Sequence, residues 1–424
     1  MASRSSQPLP SPPSGRSKLK ILFFTDHFRP EPSAPAAHIF ERCRLWVVGG
    51  HQVTVMTSAP NFPEGRVFSG YRNSWRAVEV MDGIRVIRVK TYIARNEGFV
   101  RRILDYLSYM CSSFWAAFGE PKPDVIISSS PHLFVAYAGC FHAFLRRVPH
   151  VIEVRDLWPA SLLENAGLRP GMVYRFLEGT ELMLYRRSAR VIALSPGIAD
   201  NIVARGIPRQ KIDVIVTGAN LELFTPRPVD RTVMERYRLS GRFVVGYIGT
   251  IGLSHGLEHA IRAFRLLQDT PALLFIVGVG AAKEGLESLV QREGIGNVVF
   301  APRQLKEDVP AYWSVCQVSL IHLRNAEVFR TVIPSKIFES MAMGLPIIYS
   351  GPEGPGADLV RGRGVGIVVP SERPADLARA VESLMNDHAR RRNMADASLR
   401  AAPEFSRERQ ADRSLASLRA AVEA

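Results

Sequence analysis

Pro334-Ser335-Lys336-Ile337-Phe338-Glu339-Ser340-Met341-Ala342-Met343-Gly344-Leu345-Pro346 reads as a short helix that exits into a strand. Pro334 and Ser335 suit the first turn of a helix. Lys336 and Glu339 are three residues apart, so they share one helical face. Gly344-Leu345-Pro346 ends the helix, and Ile347-Ile348 begins a buried strand. Amides left free at a helix start, together with the Lys336 ammonium, suit a diphosphate. Glu339, one turn deeper, is placed to accept hydrogen bonds from ribose hydroxyls. A surface helix with a chance Lys–Glu pair has the same pattern, so the surroundings must decide.

Those surroundings alternate strand and helix. In the first half, apolar strands are predicted at Leu19–Phe24, Val53–Thr57, Ile84–Val89, Val125–Ser128, Val151–Val154, Val191–Leu194 and Val214–Val216. Helices fall at Ala37–Val48, stopped by Gly49-Gly50, and at Leu133–Arg146. The second half repeats the alternation, with strands at Val244–Ile248, Leu273–Val277, Val298–Phe300, Val318–His322, Ile347–Ser350 and Gly366–Val369. Apolar strands joined by helices imply parallel sheets covered on both faces. The expected fold class is α/β, with two doubly wound Rossmann-like domains and a cleft between them. The expected organisation is a Ser/Pro/Arg/Lys-rich disordered tail over 1–18, a first domain over 19–225 and a polar linker over 226–242. A second domain over 243–400 follows, and a segment over 401–424 carries a helix, Pro403–Val422, that packs back on the first domain.

With 424 residues the chain exceeds one typical domain. Its 54 Lys and Arg against 40 Asp and Glu give a net charge of +14. Such a chain seeks phosphorylated molecules, anionic lipid or nucleic acid. No nucleic-acid motif appears, which leaves a phosphate-bearing substrate and an anionic membrane surface. Cys43, Cys111, Cys140 and Cys316 form no CxxC or zinc pattern and are expected as reduced core thiols. No apolar run of about 18 residues is present, and residues 1–18 lack the apolar stretch of a signal peptide. The expectation is a cytoplasmic protein, peripheral on the inner face of the membrane. Val100–Phe118 begins with Arg101-Arg102 and turns aromatic and apolar. It reads either as an interfacial amphipathic helix or as a helix packed on its own domain.

Several motifs fall at strand ends, where parallel sheets place their ligands. Gly249-Thr250-Ile251-Gly252 follows Val244–Ile248, and Gly256-Leu257-Glu258 opens a helix. Gly249, Thr250 and Gly252 let a ligand approach the backbone, or serve only a tight turn. Val277-Gly278-Val279-Gly280 resembles a dinucleotide loop, but Lys283 stands where the last glycine would be, which argues against a dehydrogenase. Arg155-Asp156-Leu157-Trp158-Pro159 follows Val151–Val154. Asp156 suits an acceptor hydroxyl and Arg155 a phosphate, or the two form a structural salt bridge. His132, at the end of Ser129-Ser130-Pro131-His132, is either an acceptor contact or structural. Glu178 and Glu181, with nearby arginines, fit a solvated helix face. There is no HExxH, DxD, P-loop or nucleophile elbow. Without paired carboxylates to hold a cation, no metal site and no cofactor are expected.

Taken in order, these residues resemble the retaining GT-B glycosyltransferases of family 4 over residues 19–415. The supporting residues are the Pro-rich loop Pro30-Glu31-Pro32, the stretch Gly50-His51-Gln52-Val53-Thr54-Val55, and Thr217-Gly218-Ala219-Asn220 with Phe224-Thr225-Pro226. Arg155–Pro159 and Pro334–Pro346 are similar to the subgroup of fucosamine and N-acetylaminosugar transferases of O-antigen and capsule pathways. The resemblance departs at three places. Thr331 stands where the family often has the first of two glutamates, with Glu339 as the second. Thr250 and His255 stand where an Arg/Lys pair usually holds the diphosphate. Arg155 stands near the family's frequent histidine.

The resemblance implies transfer of a sugar from a nucleoside-diphosphate donor, UDP-linked, to a polyprenyl-linked or polysaccharide acceptor. The sugar is an N-acetylated aminosugar or a deoxysugar. Ser335, Lys336, Arg303 and Arg330 would hold the diphosphate, beside Gly249, Thr250, Gly252 and Gly278, and Glu339 would hold the ribose. Asp156, His132 and Arg155 would face the acceptor, with Pro30 and Ser33 in the acceptor loop. A 2-epimerase on the same fold and a non-catalytic scaffold of a polysaccharide assembly complex are the alternatives.

Overall fold

The computed structural model describes residues 17–62, 64–93, 99–130, 133–158 and 171–424. His132, Pro159 and residues 1–16 of the expected tail lie outside them. The chain divides into two compact units, one of Met1–Ile192 with Ala411–Ala424 and the other of Ala193–Gln410.

The first unit holds strands β1 (Lys20–Phe24), β2 (Gln52–Ser58), β3 (Arg76–Met81), β4 (Ile84–Val89), β5 (Val125–Ser129), β6 (His150–Val154) and β7 (Arg190–Ala193). Its sheet runs β3-β4-β2-β1-β5-β6-β7. β1 pairs parallel with β2 and β5, with Ile21 opposite Val53 and Val125. The sequence does not foresee β3, which makes one edge antiparallel: it pairs with β4 through a two-residue turn at Asp82-Gly83. Both turn residues have positive φ, 47° and 80°, as a type I′ hairpin requires.

One face of this sheet is covered by the helices Phe99–Ala116 and Leu133–Arg146. The buried Tyr109 hydroxyl shares its one proton between the carbonyls of Met56 (2.8 Å) and Thr25 (3.0 Å), which pins the first of these helices to the ends of β1 and β2. The C-terminal helix spans Arg407–Glu423. Its Ala411 carbonyl accepts from Trp46 Nε1 at 3.0 Å, so the chain's end packs on the helix Ala34–Val48 of the first unit.

In chain order β8 (Ile212–Val214) follows the helix Pro196–Ala204 in the second unit. That unit's sheet is formed by β9 (Phe243–Ile248), β10 (Ala272–Val277), β11 (Val298–Ala301), β12 (Val318–His322), β13 (Ile347–Ser350) and β14 (Gly366–Val369). These run β11-β10-β9-β12-β13-β14, all parallel. Alternate residues feed separate cores. Val244, Ile248, Phe275 and Val277 pack with Trp313, Phe338 and Met341 on one face. Val245, Tyr247, Leu274 and Ile276 pack with Phe264, Leu377 and Val381 on the other. Period-2 side-chain direction with both faces buried is why these strands read as unbroken apolar runs.

Cys43 and Cys316 are buried as expected of core thiols, but Cys140 is half-buried and Cys111 exposed. Cys111 lies on the Phe99–Ala116 helix, whose outer side faces away from the sheet.

Candidate active site

In the second unit two loops leave adjacent strands and bind each other. After β9, the Gly249 N–H donates to the Val277 carbonyl and the Ile251 N–H to the Val279 carbonyl, both at 2.9 Å. The Ala282 N–H returns to the Ile251 carbonyl at 3.0 Å. A β-carbon on Gly278, at φ 155°, would lie 1.9 Å from the Gly249 carbonyl oxygen. Gly278 is therefore required by loop–loop contact, beyond any ligand approach.

Lys336 opens the helix Lys336–Ala342 beneath these loops. Its Nζ lies 3.7 Å from the centroid of the Tyr247 ring, a cation–π contact. A β-carbon on Gly249 would come within 3.2 Å of it. The stem is partly exposed, but the ammonium is shielded from solvent and has no hydrogen-bond partner. Burial pushes it down to about 7, and the Glu339 carboxylate on the same helix offsets only part of that. Ser335 precedes the helix with backbone angles already helical, and its side chain makes no capping bond.

Neither Thr250 nor His255 supplies a fixed cation. Thr250 is exposed, and its carbonyl accepts from the Tyr247 hydroxyl at 2.6 Å. His255 accepts on Nδ1 from the Gly252 N–H at 3.2 Å. Burial, then the Lys336 charge, lowers it to about 3. Arg330 is paired with Glu327 at 3.1 Å and contacts Asn325 at 3.4 Å. Arg303 is exposed past the end of β11. The Thr331 carbonyl accepts from the buried Ser195 hydroxyl, and its own hydroxyl donates to Val328. Thr331 is thus held structurally, where the resemblance would place a carboxylate.

The first unit presents a different edge. Glu153, within β6 and fully buried, pairs with Arg42, accepts from Ser129 Oγ at 3.0 Å and faces Arg155 at 3.5 Å. Burial would raise this carboxyl, but the two arginines and the hydrogen bonds outweigh it and hold it below the usual range. Arg155 donates to His38 Nδ1 at 3.1 Å. His38 and Arg42 are four apart on the helix Ala34–Val48, so one helix face supplies both. Arg155 is therefore engaged in a buried ion pair, with Asp156 close enough to act on it electrostatically.

Directly after β1, His27 donates from Nδ1 to Glu31 at 2.7 Å, with Asp26 3.6 Å from Nε2. Glu31 also accepts from the Asn61 and Phe62 amides at 2.9 and 3.0 Å. Burial lowers the imidazole, but Asp26 and then Glu31 raise it to about 9. Of the expected acceptor loop, Ser33 caps the helix Ala34–Val48, accepting from the Ala36 N–H at 3.2 Å, and Pro30 follows a cis peptide bond.

This cluster is not expected from the sequence, although Thr25-Asp26-His27 stands at a strand end as Arg155-Asp156 does. Glu181 also departs from the reading. It is buried and accepts from the Trp158 N–H at 3.1 Å and the Tyr185 hydroxyl at 2.6 Å, so it anchors the 155–158 segment and does not face solvent.

Among the described residues no cluster of three His, Cys, Asp or Glu is arranged to hold a metal ion. No described helix is long and apolar enough to cross a membrane. The helices Phe99–Ala116, Leu133–Arg146 and Met172–Arg187 pack in sequence and expose large apolar side chains. Trp115 is 64% exposed, Phe144 68% and Phe176 70%, with exposed Arg101, Arg175, Arg186 and Arg187 nearby in sequence.

Comparison with known proteins agrees with this architecture. WcaI of Escherichia coli K12, named for a glycosyl transferase of colanic acid biosynthesis, is 25% identical over 335 residues, covering 77% of this chain and 82% of WcaI. A GDP-mannose-dependent alpha-mannosyltransferase of Mycobacterium tuberculosis is 27% identical over 373 residues, covering 88% and 89%. The solved structure of Anabaena Alr3699/HepE in complex with UDP superposes with a TM-score of 0.70 at 16% identity, covering 95% of this chain and all of that one. The profile "Glycosyl transferase 4-like domain" matches residues 34–218 and "Glycosyl transferases group 1" matches residues 231–400. With two such domains in this order on two Rossmann-like sheets, the chain is a GT-B-fold glycosyltransferase of group 1.

Proposed function

We propose that the second unit binds a nucleoside-diphosphate sugar and that the enzyme transfers its sugar with retention of configuration. The observation that carries this reading is the Lys336 ammonium, shielded from water without a hydrogen-bond partner and placed below the Gly249 loop. A buried ammonium without a hydrogen-bond partner is costly, and a diphosphate would supply both acceptors and countercharge. The missing Arg/Lys pair at Thr250 and His255 leaves Lys336 as the principal charge for the leaving phosphate, with Ser335, Arg303 and Arg330 in support.

Charge grows on the diphosphate as the glycosidic bond breaks. Lys336 therefore stabilises the transition state more than the bound donor. Glu339 takes the ribose hydroxyls. The acceptor hydroxyl attacks from the face the diphosphate leaves, so no protein nucleophile is required. In the first unit Asp156 receives that hydroxyl, with the Arg155 pair close to it, and His132, outside the described residues, is the further acceptor contact in this reading.

The donor in this reading is UDP-linked and carries an N-acetylated aminosugar or deoxysugar. The acceptor is polyprenyl-linked or a growing polysaccharide. The exposed aromatic side chains and arginines of the three helices in the first unit support peripheral contact with the inner face of the cytoplasmic membrane. No metal is required.

Thermal shift against UDP, GDP, ADP, dTDP and CDP, with and without EDTA, tests the donor assignment. UDP should raise the midpoint and EDTA should leave that shift unchanged. A shift with GDP alone would replace the base, and a shift abolished by EDTA would overturn metal independence.

A further inference from the structure

The turn that closes the glycine loop is held at three consecutive carbonyls. His322, the last residue of β12, donates from Nδ1 to the His255 carbonyl at 2.6 Å. Arg324 donates from its backbone N–H to the Ser254 carbonyl at 3.1 Å and from Nε to the Leu253 carbonyl at 2.7 Å. The same guanidinium pairs with Glu258, in the first turn of the helix Leu257–Arg265. The His255 ring closes the circuit by accepting from Gly252. A β-carbon on Gly256, at φ 60°, would meet Arg324 Cγ at 2.9 Å, so the turn lies directly against its clamp.

Burial keeps His322 uncharged by lowering it to about 4. Its bond to a carbonyl fixes the proton on Nδ1. The His259 ring stacks parallel to it at 6.4 Å. A loop with glycines at 249, 252 and 256 has large conformational freedom to lose when it binds a ligand. Carbonyls free to turn inward would also repel an anion. Donors from the end of β12 remove both problems before the ligand arrives.

We propose that His322 and Arg324 are positioning residues for the donor diphosphate. By fixing the carbonyls of Leu253, Ser254 and His255, they preset the 249–256 loop in its binding shape. This rests on the reading of that loop as the nucleotide site.

Three variants separate the roles. His322→Phe keeps the ring and loses the donor. His322→Asn keeps a donor near the position of Nδ1. Arg324→Met keeps the stem and the backbone N–H but loses the Nε bond and the Glu258 pair. Each is followed by amide hydrogen exchange over 249–256 and by calorimetric titration with UDP and GDP. Loss of preorganisation predicts faster exchange in this loop and roughly tenfold weaker nucleotide binding for His322→Phe and Arg324→Met, with near-native thermal midpoints. His322→Asn should restore both. Unchanged exchange and affinity in the Phe and Met variants, while the parent protein binds nucleotide, would overturn the positioning role alone. A parent protein that binds neither UDP nor GDP would overturn the nucleotide reading and the positioning role with it. If His322→Phe fails to fold, Arg324→Met decides.

Discussion

At the carboxyl edge of the first unit's sheet, Arg42 and Arg155 share Glu153, and His27 lies between Asp26 and Glu31. At the same edge of the second unit's sheet, Lys336 has an aromatic face and no hydrogen-bond partner, and its neighbours His255 and His322 are uncharged. One edge has balanced its own charges, and the other holds a positive charge in reserve. A self-balanced edge is suited to placing a neutral group such as a sugar hydroxyl. An edge with a surplus ammonium is suited to an anion. The difference supports the proposed division of donor and acceptor binding between the two units.

The largest effect should come from breaking the balance. Glu153→Ala leaves two arginines buried without their carboxylate and should cost about 3–5 kcal/mol in denaturant unfolding of the first unit. A loss below about 1 kcal/mol would mean that the pair is not held as described. Lys336→Met should act with the opposite sign on stability. It removes an uncompensated charge, so the ligand-free protein should gain stability, while transfer falls by about 10²–10³. If the variant were less stable and fully active, the contrast between the two edges would collapse.

The pH dependence of stability sharpens the same contrast. The Lys336 ammonium is depressed to about 7 in the folded protein, against about 10.4 in an unfolded chain. Between these values the unfolded state binds more protons, so stability should rise with pH from about 7 to about 10.4. His27 is raised to about 9, from about 6.5. Its contribution is complete below about 6.5 and is lost as pH rises towards 9. Across pH 7–9 the two sites therefore pull in opposite directions. Stability profiles of Lys336→Met and His27→Gln should diverge from the parent with opposite slopes, and slopes of the same sign would contradict the assignments. The smallest effect is expected for Tyr247→Phe. It removes one hydrogen bond to Thr250 and keeps most of the cation–π contact, and should cost about 1 kcal/mol.

Much of the fold is legible in the residue pattern, because unbroken apolar strands and intervening helices leave few alternatives to a doubly wound sheet. The edge strand β3 is harder to see. Its alternating burial gives a weaker signal than a buried parallel strand, and the one local cue is Asp82-Gly83.

The candidate site divides in the same way. Lys336, Glu339 and the glycine loops stand out because they cluster within short stretches. Glu153, His38, Arg42 and Glu31 do not, since Glu153 looks like a polar interruption within a strand and its partner Arg42 lies 111 residues away. Glu181 looks like half of a surface pair until the fold places the Trp158 amide against it. His322 and Arg324 are also invisible in sequence, since what they hold is backbone.

Lys336 is proposed to wait for the diphosphate, and proton uptake on binding tests this most directly. Titration of UDP and GDP at pH 8, in buffers of different ionisation enthalpy, counts the protons taken up. A parent protein whose free Lys336 is largely neutral at pH 8 should absorb about one proton as the anion restores the charged form. Lys336→Met should bind far more weakly and absorb none. Binding without proton uptake, or equal uptake in the variant, would contradict the account.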